Sequence, residues 1–293
     1  MTLRLLAVHA HPDDESSKGS ATYAHYVKHG AEVLVVSATG GEQGSILNEK
    51  LEARAHAERD MAGLRVLEMS RAQEAMGIQH AWLGYHDSGL PEEGETVAVN
   101  SFATIPIEIS TEPLVRIIRR FKPQVLVTYD ENGGYPHPDH IRSHEVSVAA
   151  YEAAADPARY PDAGPAWQVS KLYYDRIMNG TRMRAIYDAI TLETPDSPVL
   201  AQMDEMFKRW GDDRPDLSTT HVHVADSFPI RDQALKAHAS QVDPDGFFFQ
   251  YPHDLQVRVW PTEDFQLVDS KVPTTLPETD LFAGVADDDG VAS

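Results

Sequence analysis

The sequence predicts an α/β fold: a Rossmann-like, mostly parallel sheet with helices on both faces, plus a smaller C-terminal lobe. Three observations carry this. Short apolar runs recur through the first half, and helical patterns lie between them. Beyond Asp156 that alternation loosens, with Pro157, Pro161 and Pro165 in quick succession.

Taken in order, residues 3–8 form a short apolar run that reads as a buried strand, and 17–29 reads as a helix ending at Gly30. Residues 33–38 give a second strand, followed by the turn Thr39-Gly40-Gly41-Glu42-Gln43-Gly44. Met61, Leu64 and Leu67 fall at helical spacing within the polar stretch 52–76, which stops at Gly77. A short strand at 81–83 and a helix at 112–121, halted before Pro123, lead to a strand at 125–129 and a helix at 141–154. In the second half, 170–174 and 219–224 read as strands, while 183–190, 199–210 and 230–241 read as helices. The last 50 or so residues, rich in proline and aromatics, are expected to wrap the body. With no internal repeat or low-complexity linker, the chain reads as one catalytic unit: a core over 1–170 and a pocket-completing lobe over 171–293.

Composition narrows the class. A hydrophobic share of 42% supports a sizeable core, and the absence of cysteine removes disulfides and thiolate metal sites. That usage fits a reducing cytoplasm. No segment has the form of a signal peptide or the roughly 20 apolar residues of a membrane helix. Acidic residues outnumber basic ones 46 to 25, for a net charge of −21. Such a surface favours solubility and repels nucleic acid and anionic lipid, so neither is expected as a partner. The tail Ala286-Asp287-Asp288-Asp289-Gly290 reads as a solvated end.

Two clusters carry the chemistry. Ala10-His11-Pro12-Asp13-Asp14-Glu15 follows the first strand, and His137-Pro138-Asp139-His140 follows the run Val125-Leu126-Val127. The carboxyl edge of an open α/β sheet is where ligands bind. One such cluster would be explained by a helix cap; two at separate strand ends point to one metal-dependent site. Imidazoles with a carboxylate suit zinc with an open position for water, and the same donors suit ferrous iron. His11, one of Asp13 and Asp14, and one or both of His137 and His140 are the candidate ligands. The second aspartate is then free to act as a general base, and the second histidine to stabilise an oxyanion. Pro138 keeps His137 out of helical geometry, so the following helix is expected to start near Asp139. His144 reads as core or as support behind the ligands, and His221 with His223 as a surface pair. The Gly-rich turn lacks the GxGxxG spacing of a dinucleotide site.

At these residues the chain resembles a known family. AHPDDES, TGGEQG and YDENGGYPHPDHIRSH together are similar to the zinc-dependent de-N-acetylase superfamily of the PIG-L type. The likeness extends to WLGYHDSGLP at 82–91, to RDQALKAHASQVDPDG, and to VWPTEDF and ETDLFAG; it is faintest over 180–217. It implies that His11, Asp14 and His140 hold Zn2+, or Fe2+ in its place. It makes Asp13 the general base and His137 the oxyanion stabiliser, oriented by Asp139. Tyr135 matches a tyrosine that swings toward the scissile carbonyl, and Arg65 and Asp87 match contacts to an inositol. Lys18 resembles a feature of the superfamily's amidase branch, where it would read a cysteinyl group. The implied reaction is cleavage of mycothiol S-conjugates at the amide joining N-acetylcysteine to glucosaminyl-inositol, in thiol-based detoxification. Deacetylation of N-acetylglucosaminyl-inositol, or of another N-acetyl sugar, is the alternative.

Overall fold

The structure is a computed structural model, and it describes residues 2–92, 95–210 and 215–285. The acidic run at 286–290 lies outside the described residues. The strands are β1 (Arg4–His9), β2 (Glu32–Thr39), β3 (Gln79–Tyr85), β4 (Val125–Thr128), β5 (Lys171–Asp175), β6 (Thr220–His223) and β7 (Thr262–Ser270). They form a seven-stranded sheet in the order β3-β2-β1-β4-β5-β7-β6. The five strands β3 to β5 in this order run parallel, and β7 enters antiparallel between β5 and β6.

Both faces of the sheet are covered. Leu5, Ala7, Val33, Val35, Val125 and Val127 pack into one apolar cluster, while Leu6, Val8, Leu34, Val36 and Leu126 pack into the other. This period-2 division explains why the strands read as continuous apolar runs. α2 (Ser20–Lys28), α4 (Met61–Met76) and α9 (Phe228–Ala237) cover the first face; α5 (Ile107–Phe121) and α6 (Pro138–Ala155) cover the second. Arg119 of α5 is 2% exposed and donates to the Ala153, Ala154 and Asp156 carbonyls, which neutralises the carboxyl end of α6.

Two predicted helices are each split. The 17–29 helix is α1 (Asp14–Ser17) plus α2, separated at Gly19, where φ is 134° and an added Cβ would lie 2.5 Å from the Tyr23 ring. The 52–76 helix is α3 (Arg54–Arg59) plus α4, because the Asp60 side chain accepts from the Gly63 N–H and starts a new helix. The C-terminal residues do more than wrap the body. They contribute α10 (His253–Val259) and β7, whose Glu263 and Asp264 are buried. His221 is not a free surface side chain, since its Nδ1 donates to Asp264 at 2.9 Å, whereas His223 is exposed. α7 (Gly180–Glu193), α8 (Val199–Trp210) and α10 build a separate small core around Met183, Ile186 and Met203. No helix among the described residues is long and apolar enough to cross a membrane.

The strand order reverses between β1 and β4, which places a crevice beyond their carboxyl ends. Both His/Asp clusters open into that crevice.

Candidate metal centre

The two strand ends are tied together where the site begins, by the Ala10 N–H donating to the Tyr129 hydroxyl at 2.8 Å. His11, 8% exposed, donates from Nε2 to Asp139 at 3.2 Å, and its Nδ1 faces Asp14 Oδ2 at 3.4 Å. His140 donates from Nδ1 to the Gly133 carbonyl at 2.9 Å. Its Nε2 is buried without a hydrogen-bond partner and lies 3.3 Å from the same Asp14 oxygen. Gly133 adopts φ 68°, and a Cβ there would sit 2.5 Å from His140 Cβ, so glycine lets this carbonyl approach the ring.

Two imidazole nitrogens and one carboxylate oxygen thus converge. They are the donor types of a divalent cation, which would displace the proton His11 otherwise shares with Asp14, and each imidazole is fixed by a bond from its other nitrogen. The surroundings are rich in carboxylates: Lys18 pairs with Asp14 and Arg65 with Asp13, while Asp87 and Asp139 both face His11. Burial works against charge on His11, but hydrogen bonds to Asp139, Asp14 and Asp87 outweigh it and hold the imidazole well above its usual range. Burial also pushes Asp14 up, yet His140 and Lys18 prevail and hold it well below the usual carboxylate range. His137 joins His11 and His140 in a second possible set, their ligand atoms all lying within 4.8 Å of one another.

His137 caps α6, and its Nδ1 accepts from the Asp139 N–H at 3.1 Å. The helix therefore begins at Pro138, one residue before the predicted start. Burial, with the His11 and His140 rings beside it, lowers His137 to about 4. A neutral ring accepting at Nδ1 carries its proton on Nε2, where it can donate. The Asp139 carboxylate itself goes to the Ser88 N–H, the Ser88 hydroxyl and His11, so its link to His137 runs through the backbone. Tyr135, nearly half exposed, stands at the mouth with its ring 4.6 Å from that of His140.

Asp13 has φ 111°, a conformation that costs energy for any L-residue. Its N–H donates to Glu15 Oε2 at 2.9 Å, and its carboxylate accepts from Arg65 Nη2 at 2.8 Å. Burial raises the Asp13 carboxyl, opposed by Arg65 and assisted by Asp14. Arg65 and Asp87, expected at an inositol, are both buried and committed within the chain. Arg65 also donates to the Pro12 and Gly41 carbonyls, and Asp87 accepts from the Gln43 and Gly89 N–H groups. The Gly-rich turn is thereby a brace around the site. Lys18 sits one helical turn beyond Asp14 with its ammonium on the Asp14 carboxylate. His144 donates from Nδ1 to the Tyr129 carbonyl at 3.0 Å, outside the converging set.

One participant lies in a segment that carries the resemblance but has no role assigned from the sequence. His238 and Glu15 are both fully buried, and His238 Nε2 donates to Glu15 Oε1 at 2.7 Å. Burial pushes Glu15 up, but His238 brings it down to about 2. The pair is therefore ionic, and Glu15 passes its second oxygen to the strained Asp13 backbone.

A model of the PIG-L family, described as GlcNAc-PI de-N-acetylase, matches residues 6–151. A Streptomyces coelicolor protein named mycothiol S-conjugate amidase is 49% identical, covering 97% of this chain and 98% of that protein. A Geodermatophilus obscurus protein named 1D-myo-inositol 2-acetamido-2-deoxy-alpha-D-glucopyranoside deacetylase is 38% identical, over 96% of this chain and 98% of its own. Among solved structures, N,N'-diacetylchitobiose deacetylase from Pyrococcus horikoshii has the same fold, with a TM-score of 0.60 and 17% identity over 90% of this chain and 83% of that one. So does the 4-carboxy-2-hydroxymuconate hydratase GalB from Pseudomonas putida, with a TM-score of 0.60 and 16% identity over 94% and 100%. A fold that carries both names does not identify the reaction; the site must.

Proposed function

The chain belongs to the PIG-L de-N-acetylase family, and on that footing we propose that it is a zinc-dependent amidase of mycothiol S-conjugates. It cleaves the amide between N-acetylcysteine and glucosaminyl-inositol, releasing an N-acetylcysteine S-conjugate and the amino sugar, in thiol-based detoxification. The observation that carries the substrate is the 49% identity to the S. coelicolor amidase across nearly the whole of both chains. Conversion of the amide to acid and amine needs one water and two proton movements.

His11, Asp14 and His140 would hold the ion. The divalent cation supplies Lewis acidity, which makes water a nucleophile near neutral pH and polarises a carbonyl. Asp13, raised by burial and close to Asp14, takes the proton from the attacking water as the C–O bond forms. It returns that proton to the amine nitrogen as the C–N bond breaks. Arg65 holds the Asp13 carboxylate in place throughout. Neutral His137 donates from Nε2 to the carbonyl oxygen as negative charge develops there. Tyr135 closes over the same oxygen from the mouth, and Lys18 reads the cysteinyl part.

His137→Ala is expected to lower kcat by about 10²–10³-fold with little change in KM, the usual cost of one oxyanion donor. A KM effect with kcat intact would assign His137 to substrate binding instead.

Incubation of the purified enzyme with the bimane conjugate of mycothiol, loaded separately with zinc and with iron, tests the main reading. The expected products are bimane N-acetylcysteine and glucosaminyl-inositol. The 38% identity to the G. obscurus deacetylase favours a second reading, deacetylation of N-acetylglucosaminyl-inositol. A kcat/KM at least roughly tenfold higher for that acetyl sugar, equivalent to about 1.4 kcal/mol, would establish it over the first.

A further inference from the structure

Resting on that reading, we propose that the apolar cavity between α8, Met178 and Phe247 receives the group carried on the substrate's sulfur, an alkyl or aromatic substituent. α8 has a wider apolar face than its core requires. Val199 and Met203 are buried with Met183, Ile186 and Ile190, while Met206 and Trp210 are only half-buried. These last two, with Ala201, Met178 and Phe247, line a cavity of about 680 Å³. That volume lies within the range of roughly 300–1,000 Å³ usual for small-molecule sites.

The lining suits a ligand of variable shape. Methionine is unbranched and polarisable, packs against irregular groups and contacts aromatic rings favourably. Glu205 and Arg209, both exposed, supply a polar rim.

The cavity lies on the catalytic edge of the sheet. Met178 follows β5 by three residues, at the carboxyl side of the sheet where the metal centre lies. It also lines a second, narrow cavity of about 20 Å³ together with Ser17, Arg182, Phe248 and Tyr251. This is room for about one water-sized group, the dimension of a thioether link. Ser17 adjoins Lys18, whose ammonium rests on Asp14. Met178 thus lines both cavities, and a path from the catalytic carboxylates to Met206 would pass Lys18, Ser17 and Met178. An amide held at Asp13 and Asp14, with its cysteinyl part at Lys18, would direct its sulfur substituent along this path.

The test compares the bimane and S-methyl conjugates of mycothiol on the full-length, zinc-loaded enzyme and on Ala201→Trp and Met206→Glu. Ala201 is exposed, so the indole fills the cavity without entering the core. The ratio of kcat/KM, bimane over S-methyl, is expected to fall at least roughly tenfold in both variants, the discrimination given by one or two methylenes in an apolar pocket. A ratio within about twofold of wild type in both overturns the proposal. Fluorescence anisotropy of bimane N-acetylcysteine gives a readout that needs no turnover. Saturable binding weakened in both variants supports the subsite even if no conjugate is cleaved, an outcome that would sink the substrate reading alone. No saturable binding overturns the subsite. So does concentration-dependent dimerisation that Ala201→Trp abolishes while probe binding persists, since the face would then pair copies of the chain.

Discussion

Asp13→Asn is expected to lower kcat by about 10³-fold while the protein retains its metal at wild-type stoichiometry. The magnitude follows from the general acid–base contribution, about 10²–10⁴-fold, or roughly 3–5 kcal/mol of barrier. The substitution is chosen for its conservatism. Asn Oδ1 can still accept from Arg65 Nη2, which now donates to the Asp13 carboxylate at 2.8 Å. Asparagine also tolerates positive φ better than most residues, so the 111° backbone at this position is not made worse. The backbone N–H that donates to Glu15 is unchanged. What is lost is the ability to take up and release a proton. Metal analysis and steady-state kinetics on the same preparation decide the matter. Loss of metal along with activity would make Asp13 a ligand, and turnover within about tenfold of wild type would remove it from proton transfer.

The pairing of Asp13 with Asp14 marks the boundary of what the sequence could supply. Apolar strands of the β1 and β4 kind, each followed by a His-Pro-Asp run, are legible because strand periodicity and motif coincide locally. Adjacent aspartates, however, differ only in what lies across the fold. Asp14 meets His140, 126 positions away, while Asp13 meets Arg65. The division of roles came from family resemblance, and no rule of spacing supplied it. Residues whose meaning is wholly non-local were missed. His238 sits in the segment RDQALKAHASQVDPDG, which marks the family without pointing to a role, and its partner Glu15 lies 223 positions earlier in the chain. β7 escaped for the same reason: it reads Thr-Glu-Asp-Phe-Gln-Leu-Val-Asp-Ser, too polar for a central strand. Its carboxylates are satisfied from elsewhere, Glu263 by the Thr22 N–H and hydroxyl, and Asp264 by His221 and Trp260. The breaks at Gly19 and Asp60 have a different cause: residues 14–18 carry no apolar residue to mark a separate turn, and Met61, Leu64 and Leu67 all lie beyond Asp60.

Asp14→Ala is expected to weaken metal binding by more than about 100-fold, beyond the 10–100-fold typical of residues that only support a ligand. Activity should fall to background with it. The prediction separates two of the sets of donors that the geometry allows. If His11, Asp14 and His140 hold the ion, Asp14→Ala empties the site and His137→Ala leaves it filled. If His11, His137 and His140 hold it, the outcomes are exchanged. Loss of metal through misfolding needs its own control, because Asp14→Ala strands the Lys18 ammonium in a largely buried position. Lys18→Ala removes that cation while leaving Asp14 and both imidazoles. It should keep the metal, since taking a positive charge away from Asp14 strengthens the carboxylate as a ligand. The double variant Asp14→Ala, Lys18→Ala should then bind no metal while melting near the wild-type apoprotein. Metal retained in both Asp14 variants would transfer the third ligand position to His137. Lys18 would then pair with a carboxylate outside the coordination sphere, and its part in reading the cysteinyl group would lose its link to the metal.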